Sequence, residues 1–207
     1  FWGVRGPYNR KLLSFRTRVV VIIGGLLSYL IPSKIISNSN HTSNSLRKIY
    51  YDSSKFALIH NGFIERNIEV KNNTNLYPKK DGSFVFGMVA RRDKYKDHEC
   101  LIEAISIFEN KYNRKNFYIY LIGSNLVDND EIIELMRRFN VEKKIKIFEQ
   151  SNQINQFYEK IDINILASKD ESFPNVIGEA MICGIPCIAT NIGDIPELIG
   201  DSGWFYD

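Results

Sequence analysis

Short apolar segments alternate with amphipathic segments from residue 83 onward, and this alternation restricts the fold more than any other feature of the sequence. Strand-like composition marks the runs SFVFGMVA, NFYIYLIGS, KIKIFEQ, DINILAS and PCIATNIG, whereas DHECLIEAISIFENKY, DNDEIIELMRRFNV and VIGEAMICG have apolar residues at helical spacing. Strands that alternate with helices pair in parallel and are buried on both faces. The pattern therefore predicts an α/β fold with a Rossmann-like, doubly wound parallel sheet, which binds ligands at the carboxyl ends of its strands.

The first part of the chain follows a different pattern. Residues 1–58 read as mainly helical, and the polar stretch VKNNTNLYPKKDG has the composition of a linker. We therefore predict that residues 1–62 are a mainly helical remnant of a preceding domain together with a hinge. Residues 63–82 are then a linker, and residues 83–207 are the ligand-binding domain.

Composition and charge exclude several classes of protein. An apolar fraction of 44% is that of a globular chain with a core. The excess of 27 Lys and Arg over 24 Asp and Glu gives a net charge of +3, which is too small to indicate a nucleic-acid partner. The three cysteines have no CxxC spacing, which argues against a disulfide framework or a zinc site and favours a reducing compartment.

The longest apolar run covers residues 19–31, which is 13 residues, and a bilayer-spanning helix needs about 20. We predict that this run forms a buried helix. Basic residues precede the run, so contact with an anionic membrane surface stays open as the alternative.

Two cations follow the first predicted strand of the sheet. Arg91 lies at the strand end and Lys96 lies just before the next helix, near Asp97 or His98. A guanidinium and an ammonium at this position suit a diphosphate. Taken alone, such a pair is more often ordinary loop charge.

The stretch ESFPNVIGE places two carboxylates, Glu171 and Glu179, around a predicted helix start at Pro174. Proline is tolerated in the first helical turn, where backbone N–H groups form an anion site. Each ionised carboxylate can accept hydrogen bonds from two hydroxyls. The spacing therefore suits a ligand with a diol at each end and phosphate between them, such as a nucleotide sugar; two surface charges are the alternative.

The stretch ESFPNVIGEAMICGIPCIATNIGDIPELI resembles the E-x7-E region of the family-4 retaining glycosyltransferases, which have the GT-B fold. The segment VARRDKYKDHECLIEA is similar to the phosphate-binding segment of that family, and LIHNGF is similar to its interdomain hinge. WGVRGPYNRK and IPSKIISNSNHTSNSL look like the end of its N-terminal, acceptor-side domain, so the resemblance covers nearly the whole chain.

The resemblance implies transfer of a sugar from a nucleotide-diphosphate sugar to an acceptor hydroxyl with retention of configuration. Arg91 and Lys96 would hold the diphosphate and stabilise the departing nucleotide without a metal ion. Glu171 would hold hydroxyls of the transferred sugar, Glu179 would hold those of the ribose, and the base would pack near the loops after Gly123 and Phe148. The backbone amides of Phe173, Asn175 and Val176 would assist at sugar and phosphate, and Pro174, which has no N–H group, would start the helix.

The same resemblance implies the partners and the location. The donor would be UDP- or GDP-linked, and the acceptor would be a glycan or a lipid-linked glycan of surface polysaccharide synthesis. No cofactor, metal ion or nucleic acid is expected. The expected location is the cytoplasm, with the inner face of the membrane as an open option.

The sequence departs from the family pattern at several points. Glu149 stands where the family usually has a glycine, and the family's glycine-rich loop and active-site histidine are absent. The chain also stops at Asp207, so we expect a fragment that transfers little sugar alone. A nucleotide-sugar 2-epimerase and a non-catalytic nucleotide-sugar-binding or membrane-docking module are the alternatives. His60 and His98 are interpreted as a hinge residue and a helix-start residue, and not as metal ligands.

Overall fold

A computed structural model describes residues 1–9, 13–64, 77–79, 82–113, 115–151 and 154–207. The chain forms two compact units. The first comprises residues 1–62, 170–175 and 191–198, and the second comprises residues 63–169, 176–190 and 199–207. Most of the predicted linker at residues 63–82 lies outside the described residues, so its borders stay predictions.

The first unit contains a three-stranded parallel sheet in the order β1-β2-β3. Its elements are β1 (Trp2–Val4), α1 (Phe15–Leu27), β2 (Ile35–Ser37), α2 (Asn40–Arg47), a 3-10 turn (Ser53–Lys55) and β3 (Phe56–Leu58). The two helices account for most of the regular structure, but the sequence pattern missed the strands. Each strand has only three residues, which is too short for a period-2 pattern to be recognised.

The prediction that residues 19–31 form a buried helix is wrong in its burial, because much of helix α1 is exposed. Ser14 caps the helix by accepting a hydrogen bond from the Thr17 amide, and Gly25 is its buried residue. Val20, Ile23 and Leu26 are 68%, 50% and 56% exposed, so only one face of this apolar helix is covered. No helix among the described residues is long and apolar enough to cross a bilayer.

The second unit is built on a six-stranded, fully parallel sheet in the order β6-β5-β4-β7-β8-β9. The strands are β4 (Phe84–Val89), β5 (Phe117–Ile122), β6 (Ile145–Phe148), β7 (Ile163–Leu166), β8 (Cys187–Thr190) and β9 (Gly203–Tyr206). Between successive strands the chain forms α3 (His98–Tyr112), α4 (Asp130–Arg138), α5 (Ile154–Tyr158), α6 (Asn175–Ile182) and α7 (Ile195–Ile199). This arrangement confirms the predicted α/β, Rossmann-like fold.

The core of the second unit lies between the sheet and its helices. Helix α3 buries Leu101, Ile102 and Ile105, which pack in one cluster with Met88 and Leu121 of the central strands. Strand β4 lies between β5 and β7, so the chain reverses its direction of strand addition there. In doubly wound sheets a ligand crevice forms at the carboxyl ends of the strands beside such a reversal.

Candidate functional site

A cleft of about 630 Å³ lies at the carboxyl ends of β4, β5 and β6, entirely within the second unit. This volume is within the range of small-molecule sites. Four predicted site residues line the cleft together, namely Arg91, Lys96, Val176 and Glu179. The structure therefore brings two cations and one carboxylate to the edge of the sheet where the fold predicts a ligand.

The floor of the cleft is fixed by close backbone packing beyond the strand ends. The Ala90 amide donates to the Ile122 carbonyl at 3.0 Å, and the Arg92 amide donates to the Ser124 carbonyl at 2.9 Å. Between these bonds, a Cβ at Gly123 would overlap the Ala90 carbonyl group. Only glycine allows this approach, which positions the loop that begins with Arg91.

The loop from β4 to α3 is shaped by Asp93. Its carboxylate accepts a hydrogen bond from the Tyr95 amide at 3.0 Å and pairs with the Arg91 guanidinium at 3.0 Å, while its carbonyl accepts from the Lys96 amide. The Arg91 side chain is 66% exposed, whereas Arg92 forms a 2.7 Å ion pair with Glu131. Of the two neighbouring arginines, Arg91 is therefore the one that can reach a ligand in the cleft.

A buried histidine lies at the end of the same loop. His98 begins α3 and is fully buried. Burial, and then the positive charge of Arg92, lower its pKa to about 4. The imidazole is therefore neutral at pH 7 and serves as a packing residue beneath the Arg91–Lys96 loop, as a helix-start interpretation implies.

Glu179 has a buried hydrogen-bond partner on α5. The hydroxyl of Tyr158 on α5 lies 3.3 Å from Glu179 Oε2 and 3.2 Å from the Val176 carbonyl oxygen. Tyr158 is fully buried, and burial together with the charge of Glu179 raises its pKa. The hydroxyl therefore stays protonated, and its one proton is shared between the Glu179 carboxylate and the Val176 carbonyl. Neither residue type nor spacing in QFYEKI indicates this contact.

Helix α6 begins at Asn175, directly after Pro174, and ends before Gly184, which has φ +73°. The start agrees with the helix start predicted at Pro174. A Cβ at Gly178 would overlap the ring of Phe63, so glycine lets this hinge-motif residue pack against the first turns of α6.

The remaining predicted site residues, Glu171, Phe173, Pro174 and Asn175, belong to the first unit. Hydrogen bonds hold their segment there: Thr42 donates to the Ser172 hydroxyl at 2.8 Å, and Asn61 donates to the Asn175 side chain at 2.6 Å. Neither composition nor spacing in the sequence indicates these partners, because they are more than 100 positions away.

The family described as "Glycosyl transferases group 1" matches residues 70–206, which is well over half of the chain. The chain belongs to the glycosyl transferases group 1 family. Its cleft lies inside the matched region. The finer assignment to the family-4 retaining enzymes is not part of this match.

Two curated relatives of this group 1 chain come from Escherichia coli. It is 29% identical over 153 residues to UDP-Gal:alpha-D-GlcNAc-diphosphoundecaprenol alpha-1,3-galactosyltransferase, covering 71% of this chain and 39% of the relative. It is 24% identical over 196 residues to an O-antigen biosynthesis glycosyltransferase, covering 90% of this chain and 52% of the relative. The group 1 chain thus spans about half or less of the length of these relatives.

Solved structures share the fold of this group 1 chain. Anabaena HepE in complex with UDP and glucose superimposes with a TM-score of 0.81 at 21% identity, over 99% of this chain and 56% of that one. A glycosyltransferase from Rickettsia africae gives a TM-score of 0.72 at 24% identity, over 99% of this chain and 55% of that one. The fold is that of GT-B glycosyltransferases.

Proposed function

We propose that this chain is the donor-binding part of a retaining, family-4-type hexosyltransferase of surface polysaccharide or lipid-linked glycan synthesis. Its donor would be a UDP- or GDP-linked sugar, and its acceptor a hydroxyl of a glycan or a lipid-linked glycan. The observation that carries the proposal is the cleft of the second unit, where Arg91, Lys96 and Glu179 line one cavity at the reversal of strand order. The family membership and the names of the two relatives support it.

The cations of the cleft account for the diphosphate. Arg91 can form two parallel hydrogen bonds to phosphate oxygens, and Lys96 adds a point charge from the same loop. Both would stabilise the negative charge that develops on the departing nucleotide, so the residues of the cleft require no metal ion for this step.

The carboxylates account for the hydroxyl groups of the donor. Glu179 would accept hydrogen bonds from the two ribose hydroxyls, with its carboxylate oriented by Tyr158. Glu171 is assigned to hydroxyls of the transferred sugar by the resemblance, together with the backbone amides of residues 173, 175 and 176. Glu149, which departs from the family pattern, lies exposed directly after β6 on the base side of the proposed site.

Calorimetric titration of the chain with UDP, GDP and ADP tests the proposal. We expect one nucleotide to bind, Arg91→Ala and Glu179→Ala each to weaken it about tenfold, and Glu142→Ala, an exposed acid outside the cleft, to leave it unchanged. Absence of binding to all three nucleotides would reject the proposal. Turnover of UDP-GlcNAc without acceptor would instead favour the 2-epimerase alternative.

We also infer peripheral contact of helix α1 with an anionic bilayer, at the inner face of the cytoplasmic membrane. Val20, Ile23 and Leu26 are at least half exposed along one side of the helix, and the exposed Arg16 lies near its start. Apolar side chains beside basic residues suit an interface with acidic phospholipids. Such contact would place the enzyme beside a lipid-linked acceptor.

Co-sedimentation with phosphatidylglycerol vesicles measures this contact, with phosphatidylcholine vesicles as the reference. We expect the chain to bind to the acidic vesicles. Added salt should reduce this binding, and an Ile23→Ser/Leu26→Ser variant should bind less than the wild type. Equal partition of wild type and variant, or self-association without vesicle binding, would contradict the inference.

A further inference from the structure

Three side chains of the first unit bring metal-binding atoms together outside the cleft. One ring nitrogen of His60 and one carboxylate oxygen from each of Asp194 and Glu197 lie within 4.8 Å of one another. His60 follows β3, whereas Asp194 and Glu197 lie at the start of α7 and inside it. The cluster therefore joins two segments of the first unit that are far apart in sequence.

Asp194 is held in place before any ligand arrives. Its two carboxylate oxygens accept hydrogen bonds from the Asn40 amide at 2.5 Å and the His41 amide at 2.8 Å, at the start of α2. The side chain is nearly fully buried. A carboxylate oxygen has more than one acceptor position, so these bonds leave capacity for a metal ion.

Glu197 supplies an adjustable second carboxylate. It lies three positions after Asp194, on the same side of the α7 turn, and it is exposed. Its contact with the Asn40 side-chain amide is long, at 3.4 Å. Small rotations of this side chain can therefore bring its oxygen closer to the other two groups.

His60 supplies an unsatisfied nitrogen. Its Nε2 atom is shielded from solvent and has no hydrogen-bond partner among the described residues. The ring packs against Phe173, with centroids 4.8 Å apart, which limits its orientation. A buried polar nitrogen without a partner is unusual in a folded protein, and binding a ligand is one way to satisfy it.

We propose that His60, Asp194 and Glu197 bind a divalent first-row transition metal ion such as Zn²⁺. One imidazole nitrogen and two carboxylate oxygens are ligands that zinc accepts, whereas Mg²⁺ and Ca²⁺ prefer oxygen ligands alone. Tetrahedral zinc with bonds of about 2.0–2.2 Å places two ligand atoms about 3.4 Å apart, so ligand atoms that are up to 4.8 Å apart must approach one another by as much as about 1.4 Å. The exposed Glu197 can provide that shift.

The metal would tie the segment after β3 to the segment that starts α7. The site shares no residue with the cleft, because all the residues of the cleft lie in the second unit. His60 does pack against Phe173, whose backbone amide is assigned to the donor. It also departs from the sequence-based interpretation of His60 as a hinge residue only. That interpretation could not anticipate carboxylates from more than 130 positions away.

Calorimetric titration of the full chain with Zn²⁺ tests the site, in a Cys100→Ser/Cys183→Ser background that removes the two exposed thiols. We expect one equivalent of zinc to bind and to raise the temperature of unfolding. Glu197→Gln and His60→Gln should each weaken binding at least about tenfold. His41→Gln is the matched control, because His41 lies 3.6 Å from the single carboxylate of Asp170.

Visible absorption of bound Co²⁺ gives a second readout that reports the coordination itself. Glu197 is exposed, so its variant should fold as the wild type does, which circular dichroism checks. No zinc binding, or equal binding by wild type and the Glu197→Gln variant, would overturn the proposal.

Discussion

Removing the Tyr158 hydroxyl should weaken nucleotide binding although that hydroxyl is buried behind the cleft. In the Tyr158→Phe variant, Glu179 loses the donor that lies 3.3 Å from its Oε2 atom. A hydrogen bond to a charged group contributes about 1.5–3 kcal/mol. The long distance, the partial exposure of Glu179 and the sharing of the Tyr158 proton with the Val176 carbonyl place this bond just below that range. A loss of about 1–1.4 kcal/mol in binding corresponds to a fivefold to tenfold lower affinity.

Calorimetric titration with the nucleotide that the wild type binds measures the change, and urea unfolding measures stability. Tyr120→Phe is the control, because Tyr120 is also fully buried and donates its hydroxyl to the Pro78 carbonyl. Both variants should lose about 1 kcal/mol in the free energy of unfolding, and only Tyr158→Phe should lose affinity. Wild-type affinity in Tyr158→Phe, with a stability loss like that of the control, would refute the role of Tyr158 in orienting Glu179.

Three further predictions concern the second unit. Gly123→Ala should lower the free energy of unfolding by more than about 1 kcal/mol and weaken nucleotide binding, because the new Cβ would overlap the Ala90 carbonyl. Urea unfolding measures the first change, and calorimetric titration measures the second. His98 has a pKa of about 4 in the folded chain, below its ordinary 6.5, so the free energy of unfolding should fall by up to about 3 kcal/mol as the pH drops from 6.5 to 4. A His98→Gln variant should lack this fall. Parallel plots of the free energy of unfolding against pH for the wild type and the variant would contradict the prediction. Cys187 is fully buried with a pKa of about 11, whereas Cys183 is exposed. Iodoacetamide at pH 8 should therefore label Cys183 in the native chain and Cys187 only after unfolding. Mass spectrometry of the peptides measures both modifications.

Local patterns in the sequence were enough to predict most of the second unit. Apolar runs and helical spacing predicted β4 through β8 and the helices α3, α4 and α6, because periodicity reflects which face of an element is buried. Pro174 predicted the start of α6, because its ring acts on the backbone where it stands. The same patterns placed Arg91 at a strand end and Lys96 just before the next helix.

The same patterns failed where elements are short or where burial depends on neighbours. The three-residue strands β1, β2 and β3 carry no readable period. From Val19 onward helix α1 is apolar on all sides, so its sequence could not indicate which side is covered, and Val20 and Ile23 are exposed in the structure.

The sequence by itself determined the parallel α/β class and the residue types at the strand ends, because these depend on interactions within a few positions along the chain. The tertiary structure decided which of those residues meet. In the folded sheet β4 lies beside both β5 and β7, and the buried Tyr158 lies within hydrogen-bond distance of Glu179. Folding of the first unit likewise places His60 close to Asp194. Such contacts join positions whose separation leaves no period or spacing, so they arise only when the chain is folded.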